Sequence, residues 1–236
     1  MNIKRIIPDT LTCCNLLCGA VAVFMATQNA FLIAFVLILC GAVFDFFDGA
    51  SARLLRVPSP IGVELDSLAD DITFGLAPSM MLCCYLRPVI GWWCLLALVM
   101  VAFSALRLAK FNLDKRQTSS FIGLATPPNA IFWASLTCMP YAIVDTDWMP
   151  WVMIGMSFVS CYLLISEIPF FGLKFHNLTW RDNWRAYLFL IGCVVIITFC
   201  VVRACQYGHP ELATFAGCAC VLWYVLYNLI TLPSRK

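Results

Sequence analysis

The chain has 236 residues, of which 62% are hydrophobic and only 12% are charged, and its formal net charge is +2. A soluble domain carries roughly twice that share of charged residues, and the mean hydropathy here is +0.89. These values exclude a disordered chain, a secreted disulfide-rich scaffold and a soluble enzyme, and they predict one integral membrane domain.

Eight apolar segments follow one another along the chain, most of them close to the roughly 20 residues that a helix needs to cross a bilayer. They lie near residues 11–26, 31–53, 66–86, 90–113, 128–144, 150–171, 185–203 and 211–230. Polar or helix-breaking residues separate them, for example Arg87–Pro88. The pattern predicts an all-α integral membrane protein, a polytopic bundle of about eight transmembrane helices. We expect the first segment to be a transmembrane helix of the mature protein and not a cleaved signal peptide.

The basic residues predict which side of the membrane faces the cytosol. With eight spans and both termini inside, thirteen of the 15 Lys and Arg residues fall on the cytoplasmic side, and only Arg87 and Arg203 fall outside. The opposite orientation reverses this ratio, so the positive-inside rule decides between them. We therefore expect a multi-pass protein of the inner (cytoplasmic) membrane, with both termini and the active site on the cytoplasmic side.

Acidic residues are concentrated at the end of the second segment and the start of the third. Asp45 and Asp48 are three residues apart, and Asp66 and Asp70 are four apart, so each pair projects from one helix face. A short connection containing Pro and Gly makes the two helices antiparallel neighbours, and the four carboxylates are expected to converge near the cytoplasmic surface. Acids within membrane segments are costly and usually mark function.

Four converging carboxylates would repel one another unless cations neutralise them. The ligands on offer are oxygens, which hard divalent cations such as Mg²⁺, Mn²⁺ or Ca²⁺ prefer. Gly49 leaves room beside Asp48 for a ligand to approach the backbone, and the guanidinium of Arg53 can clamp a phosphate. These residues indicate a site where divalent cations meet a phosphate-bearing ligand.

The acidic region reads DFFDGASAR at 45–53 and GVELDSLAD at 62–70. It resembles the signature of the CDP-alcohol phosphotransferase family, D-x2-D-G-x2-A-R-x8-G-x3-D-x3-D, at every fixed position. The resemblance implies a membrane bundle with six core helices, usually dimeric, that transfers a phosphatidyl-type group from a CDP-linked lipid to an alcohol and releases CMP. It further implies one domain over 1–236, with the catalytic core at about 8–175 and two extra helices at about 185–230.

The same resemblance implies roles for individual residues, with Asp70 as the general base. Two divalent cations, Mg²⁺ or Mn²⁺, would be held by four aspartates: Asp45, Asp48, Asp66 and Asp70. The CDP-lipid would be contacted by four further residues: Thr12, Gly49, Arg53 and Ser59. The stretch Pro8–Thr12 resembles the family's Pro-Asn-x-x-Thr opening, with Asp9 in place of Asn.

Further segments resemble those family members whose acceptor is L-serine, among them RLAKFN at 107–112 and FIGLATPP at 121–128. We therefore expect CDP-diacylglycerol and L-serine as substrates, phosphatidylserine and CMP as products, membrane lipids but no nucleic acid as further partners, and a homodimer. Arg107 and Lys110 share a helix face, and with Asn112 they are candidates for binding serine. They are equally compatible with the ordinary basic flank of an inner loop.

Two alternatives stay open. Another acceptor alcohol, such as glycerol 3-phosphate or an inositol phosphate, would use the same chemistry, although an acceptor phosphate favours additional convergent basic residues. A cation-coupled transporter would also place acids within the membrane, but transport does not require the pairing of Gly49 with Arg53. The sequence assigns no role to Asp71, which adds an acid beside Asp70, or to Glu167.

Overall fold

The computed structural model describes residues 3–57, 59–113, 121–140, 146–170, 180–208 and 211–231. Within these ranges the chain forms nine α-helices: α1 (Ile3–Thr27), α2 (Phe31–Leu55), α3 (Pro60–Asp70), α4 (Ala77–Ile90), α5 (Val99–Leu113), α6 (Thr126–Leu136), α7 (Met149–Ile165), α8 (Trp180–Tyr207) and α9 (Glu211–Thr231). Two short strands, β1 (Phe121–Ile122) and β2 (Pro169–Phe170), pair antiparallel. The prediction of an all-α membrane fold is confirmed.

Helical structure continues without interruption from Pro60 to Leu113. A π-helical stretch, Asp71–Leu76, joins α3 to α4, and a 3₁₀ stretch, Gly91–Leu98, joins α4 to α5. Gly91 has a φ of +57°, a conformation that favours glycine, and α4 packs against the residues that follow it. The chain therefore turns at Gly91. The break predicted at Arg87–Pro88 is wrong, because the last turn of α4 accommodates both residues.

Among the residues that the structure describes, five helical stretches are long and apolar enough to cross a membrane: Ile6–Thr27, Phe31–Leu55, Pro60–Leu113, Ala186–Tyr207 and Leu212–Ile230. The third has 54 residues, more than twice the length of one span of about 20, and its turn at Gly91 divides it into the two predicted crossings. Met149–Ile165 is a shorter apolar helix. The protein is thus a multi-pass membrane protein.

Helix α1 packs along α2 and also contacts α3, α4 and the π-helical stretch. Gly19 on α1 and Gly41 on α2 each permit a close approach to the π-helical stretch. A Cβ on Gly19 would lie 2.7 Å from Cα of Thr73, and a Cβ on Gly41 would lie 2.6 Å from Cγ2 of the same residue. Small residues at such crossings let membrane helices approach closely. The Thr73 hydroxyl also donates a 2.9 Å hydrogen bond to the carbonyl of Asn15. These contacts fix α1 against the aspartate-bearing helices.

The C-terminal helices α8 and α9 pack as a pair, and α9 attaches this pair to α6. The contact is close at Gly217, where a Cβ would lie 3.0 Å from Cβ of Ser135. The division of the chain into a core at about 8–175 and two extra helices at about 185–230 stays a prediction.

Candidate functional site

Three of the four aspartates that the sequence singles out lie together. Asp45 and Asp48 project from α2 and Asp66 from α3, and one carboxylate oxygen from each lies within 4.8 Å of the others. Asp48 is only 5% exposed. Oδ1 of Asp66 is buried and has no hydrogen-bond partner within the described residues. A group of carboxylate oxygens with one left unsatisfied fits a hard divalent cation.

Asp70 lies one turn beyond Asp66 on α3 and is not part of this group of three. Its side chain is 9% exposed, and the Asn15 side-chain amide donates a 3.1 Å hydrogen bond to its Oδ1. The carboxylate is near enough to Asp45 and Asp66 to interact with them electrostatically. The structure therefore places Asp70 at the edge of the group, with its orientation fixed by α1.

Helix α1 contributes two buried polar side chains to the site. The Thr12 hydroxyl donates a 2.7 Å hydrogen bond to Oδ2 of Asp48, and Asn15, three residues later on the same face, binds Asp70. Sequence reasoning missed Asn15. The signal that could have found it is the spacing, because Thr12 and Asn15 form a polar i,i+3 pair within the otherwise apolar segment at 11–26.

A cleft of about 230 Å³ opens beside two of the aspartates. Its walls include all four residues that the sequence assigns to the CDP-lipid, together with three acids: Asp9, Thr12, Asp48, Gly49, Arg53, Ser59 and Asp66. The cleft is therefore lined by the Arg53 guanidinium, by the helix surface at Gly49, where no side chain projects, and by carboxylates. This arrangement suits a ligand that carries phosphates next to divalent cations.

Some of the cleft residues have a structural role in the fold, whereas others do not. The nearest atoms that a Cβ on Gly49 would meet belong to the Arg53 guanidinium, at 3.5 Å, which is an ordinary contact. The fold therefore leaves room for a side chain there. Arg53 is exposed and interacts electrostatically with Asp48. Ser59 has a structural role as well, because its side chain accepts a 2.9 Å hydrogen bond from the Gly62 amide and caps α3.

The three residues suggested for the acceptor have different surroundings. Arg107 is buried, and its Nη1 donates a 3.1 Å hydrogen bond to Oγ1 of Thr126. Lys110 is exposed. Asn112 is also exposed, and its amide donates a 2.8 Å hydrogen bond to Oγ of Ser67. Of the three, Arg107 is the one that faces the bundle interior, where Asp70 interacts with it electrostatically.

Comparisons with known proteins agree with this geometry. The sequence model of the CDP-alcohol phosphatidyltransferase family matches residues 5–163, which contain every site residue described above. The chain is 36% identical to the CDP-diacylglycerol--serine O-phosphatidyltransferase of Bacillus subtilis (strain 168) over 174 residues, which are 72% of this chain and 92% of the relative.

Two relatives of the same name cover nearly the whole chain. The one from Methanocaldococcus jannaschii is 33% identical over 232 residues, which are 97% of this chain and 96% of the relative. The one from Helicobacter pylori (strain ATCC 700392 / 26695) is 27% identical over 235 residues, which are 98% of this chain and 92% of the relative. The similarity therefore extends through the C-terminal helices.

Proposed function

Since the chain belongs to the CDP-alcohol phosphatidyltransferase family, we propose that it transfers the phosphatidyl group of CDP-diacylglycerol to L-serine, giving phosphatidylserine and CMP. The main structural support for phosphatidyl transfer as the reaction class is the group of Asp45, Asp48 and Asp66 beside the cleft. The choice of serine rests on the relatives, each of which is named for transfer to serine.

The acidic residues fit divalent cations, because their donors are all oxygens and Oδ1 of Asp66 is buried without a partner within the described residues. In this proposal Asp45, Asp48, Asp66 and Asp70 hold two such cations, either Mg²⁺ or Mn²⁺. When bound, these cations supply positive charge beside the phosphates and stabilise the negative charge that develops during transfer.

The remaining tasks fall to the protein's own side chains. Arg53, exposed at the cleft, binds a phosphate oxygen of the CDP-lipid, and the space at Gly49 lets the diphosphate lie against α2. Asn15 orients the Asp70 carboxylate. Asp70 accepts the proton of the serine hydroxyl, whose oxygen bonds to the lipid-bearing phosphorus while the phosphorus–oxygen bond to CMP breaks.

The proposal also covers the membrane location and the oligomeric state of the enzyme. The distribution of basic residues supports the inner membrane, with both termini and the cleft on the cytoplasmic side. Serine then enters from the cytosol, and CDP-diacylglycerol enters laterally from the bilayer. The protein acts as a homodimer with one catalytic domain in each chain.

Purified protein in lipid nanodiscs tests the reaction and the acceptor together. We expect CMP release that needs L-serine, stops with EDTA, returns with Mg²⁺ or Mn²⁺, and yields phosphatidylserine by mass spectrometry. Glycerol 3-phosphate and inositol phosphate serve as competing acceptors, and Glu64→Gln serves as the control, because Glu64 is an exposed acid on α3. Faster release with either phosphate-bearing acceptor, or full activity without metal, would contradict the proposal.

A further inference from the structure

The exposed face of α8 carries a cation that lies over two aromatic rings. The guanidinium carbon of Arg203 lies 5.6 Å from the centroid of the Phe199 ring and 5.1 Å from that of the Tyr207 ring. The two rings belong to the residues one helical turn before and one turn after Arg203, and the side chains are 62% and 59% exposed. Aromatic faces attract cations. The rings therefore position the positive charge close to the end of α8, which is at Tyr207.

An open groove of about 390 Å³ leads away from Arg203 along the same helix. Its walls are exposed side chains, all of them apolar except one threonine: Val194, Val195, Thr198, Phe199 and Val202. Phe199 lines the groove and also contacts Arg203, so the cation lies at one end of the groove. From Val194 to Val202 the helix rises by about 12 Å, which fits within one leaflet, about half of the roughly 30 Å hydrocarbon core.

The groove remains uncovered when α8 packs against its neighbour. Helix α8 packs against α9, and side chains such as Cys200 and Ala204 are buried. The groove residues remain exposed in the same structure. The groove begins near the middle of the apolar stretch Ala186–Tyr207 and ends next to Arg203. Within the bilayer it therefore runs from near the membrane centre to the level of the cation.

The cation and the groove match the two parts of a phospholipid. The N–H donors of a guanidinium lie in its plane, so stacking on rings leaves them at its edge, where they can bind phosphate oxygens by charge-assisted hydrogen bonds. An acyl chain needs apolar walls, and the groove supplies them on the side of Arg203 that faces the membrane centre. A second copy of the chain fits less well, because a symmetric contact through this face would bring two Arg203 side chains to the same level.

We propose that this face of α8 binds one membrane phospholipid, with Arg203 on its phosphate and one acyl chain in the groove. The site lies beyond residues 5–163, which match the family model, and the inference does not depend on the proposed function. A lipid bound there would support α8 on the side opposite to α9. The cleft beside the aspartates is lined by other residues, so loss of this lipid should leave catalysis intact.

The test is photocrosslinking of the full chain in detergent micelles, with phosphatidylglycerol that carries a diazirine in one acyl chain. We expect saturable labelling of residues 194–202. In Arg203→Gln the concentration for half-saturation should rise about tenfold to a hundredfold, the range for losing a charge-assisted contact. The matched control is Arg87→Gln, because Arg87 is also exposed and lies 5.6 Å from the ring centroid of Trp92. Its half-saturation should stay within about threefold of the unaltered protein.

A second variant, Val195→Trp, fills the groove and leaves the cation in place. Its labelling should fall about tenfold, and this variant decides the question if Arg203→Gln does not fold. Equal labelling by a diazirine diacylglycerol, which has no phosphate, or an unchanged half-saturation in both variants would overturn the inference and leave only unspecific lipid contact. Dissociation of a dimer by these variants, with lipid affinity unchanged, would overturn it in favour of an interface between copies. The rate of CMP release should stay within about threefold throughout, so failure of this inference is distinguishable from failure of the proposed function.

Discussion

The hydroxyl of Thr12 donates a 2.7 Å hydrogen bond to Oδ2 of Asp48, which joins the N-terminal helix to the aspartate-bearing face of α2. Thr12 is 4% exposed, so water does not compete for this bond. The bond restricts the rotation of the Asp48 carboxylate and holds it toward Asp45 and Asp66. A residue outside the family's aspartate signature thus orients one of the proposed metal ligands.

The contribution of this bond can be measured by changing Thr12 alone. Thr12→Val removes the hydroxyl at nearly constant volume, and we expect the Mn²⁺ concentration for half-maximal activity to rise about tenfold to a hundredfold, the usual cost of losing a partner of a metal ligand. Thr12→Ser keeps the hydroxyl and should remain within about threefold of the unaltered protein. Mn²⁺ titration followed by electron paramagnetic resonance supplies the binding readout. Equal Mn²⁺ affinity in all three proteins would show that the bond does not support the metal site.

Substitutions of Asp70 and Arg53 should affect different kinetic constants, because Asp70 is proposed to act in the chemical step and Arg53 in binding CDP-diacylglycerol. Asp70→Asn should lower kcat by about 10² to 10⁴, the usual contribution of general base catalysis, with a smaller effect on CDP-diacylglycerol binding. Arg53→Ala should raise the KM for CDP-diacylglycerol about tenfold to a hundredfold, because it removes a charge-assisted contact of about 1.5–3 kcal/mol. Steady-state CMP release measures both.

The control for Arg53 is Arg56→Ala, which removes another exposed cation one turn further along the chain, at the C-terminal end of α2. It should leave both constants nearly unchanged. If the Asp70 and Arg53 variants fold and release CMP at the normal rate with normal substrate affinity, the assignment of these two residues is wrong.

Gly49 should be required by the ligand and not by the fold. Gly49→Ala adds a methyl group that meets Arg53 at an ordinary distance, so the unfolding temperature should not fall. The methyl group would occupy space intended for the diphosphate, and overpacking of about 1–3 kcal/mol corresponds to a loss of affinity of about tenfold or more. Gly155→Ala is the matched control, because a Cβ there meets nothing within 4 Å. Normal CDP-diacylglycerol affinity in Gly49→Ala would place the diphosphate elsewhere.

Labelling from the outer face tests the orientation. Arg56 and Asp147 are both exposed and fall on opposite sides of the membrane in the predicted topology. In intact cells, a membrane-impermeant maleimide should label Asp147→Cys above the background of the native cysteines, whereas Arg56→Cys should react only after the membrane is opened. The reverse pattern would put the cleft on the outer side and away from cytosolic serine.

The amino-acid sequence was sufficient to predict the helical class and the grouping of carboxylates on α2. Hydropathy sets the membrane segments, and helical periodicity alone puts Asp45 and Asp48 on one face. The position of the turn at Gly91 was harder to predict from the sequence, because Pro88 is the stronger local signal for a helix break. The helix accommodates that proline in its last turn, and the positive φ of Gly91 reverses the chain.

Only the tertiary structure decided which face of each helix meets which neighbour. Asn15 reaches Asp70 across 55 positions of sequence. Arg107 and Lys110 share a helix face by spacing, yet Arg107 is buried and Lys110 is exposed. Helical periodicity is a local property and fixes only the angle between side chains on one helix. The partners of those side chains depend on how α1, α5 and α6 pack, and that packing follows from contacts between residues far apart in the chain.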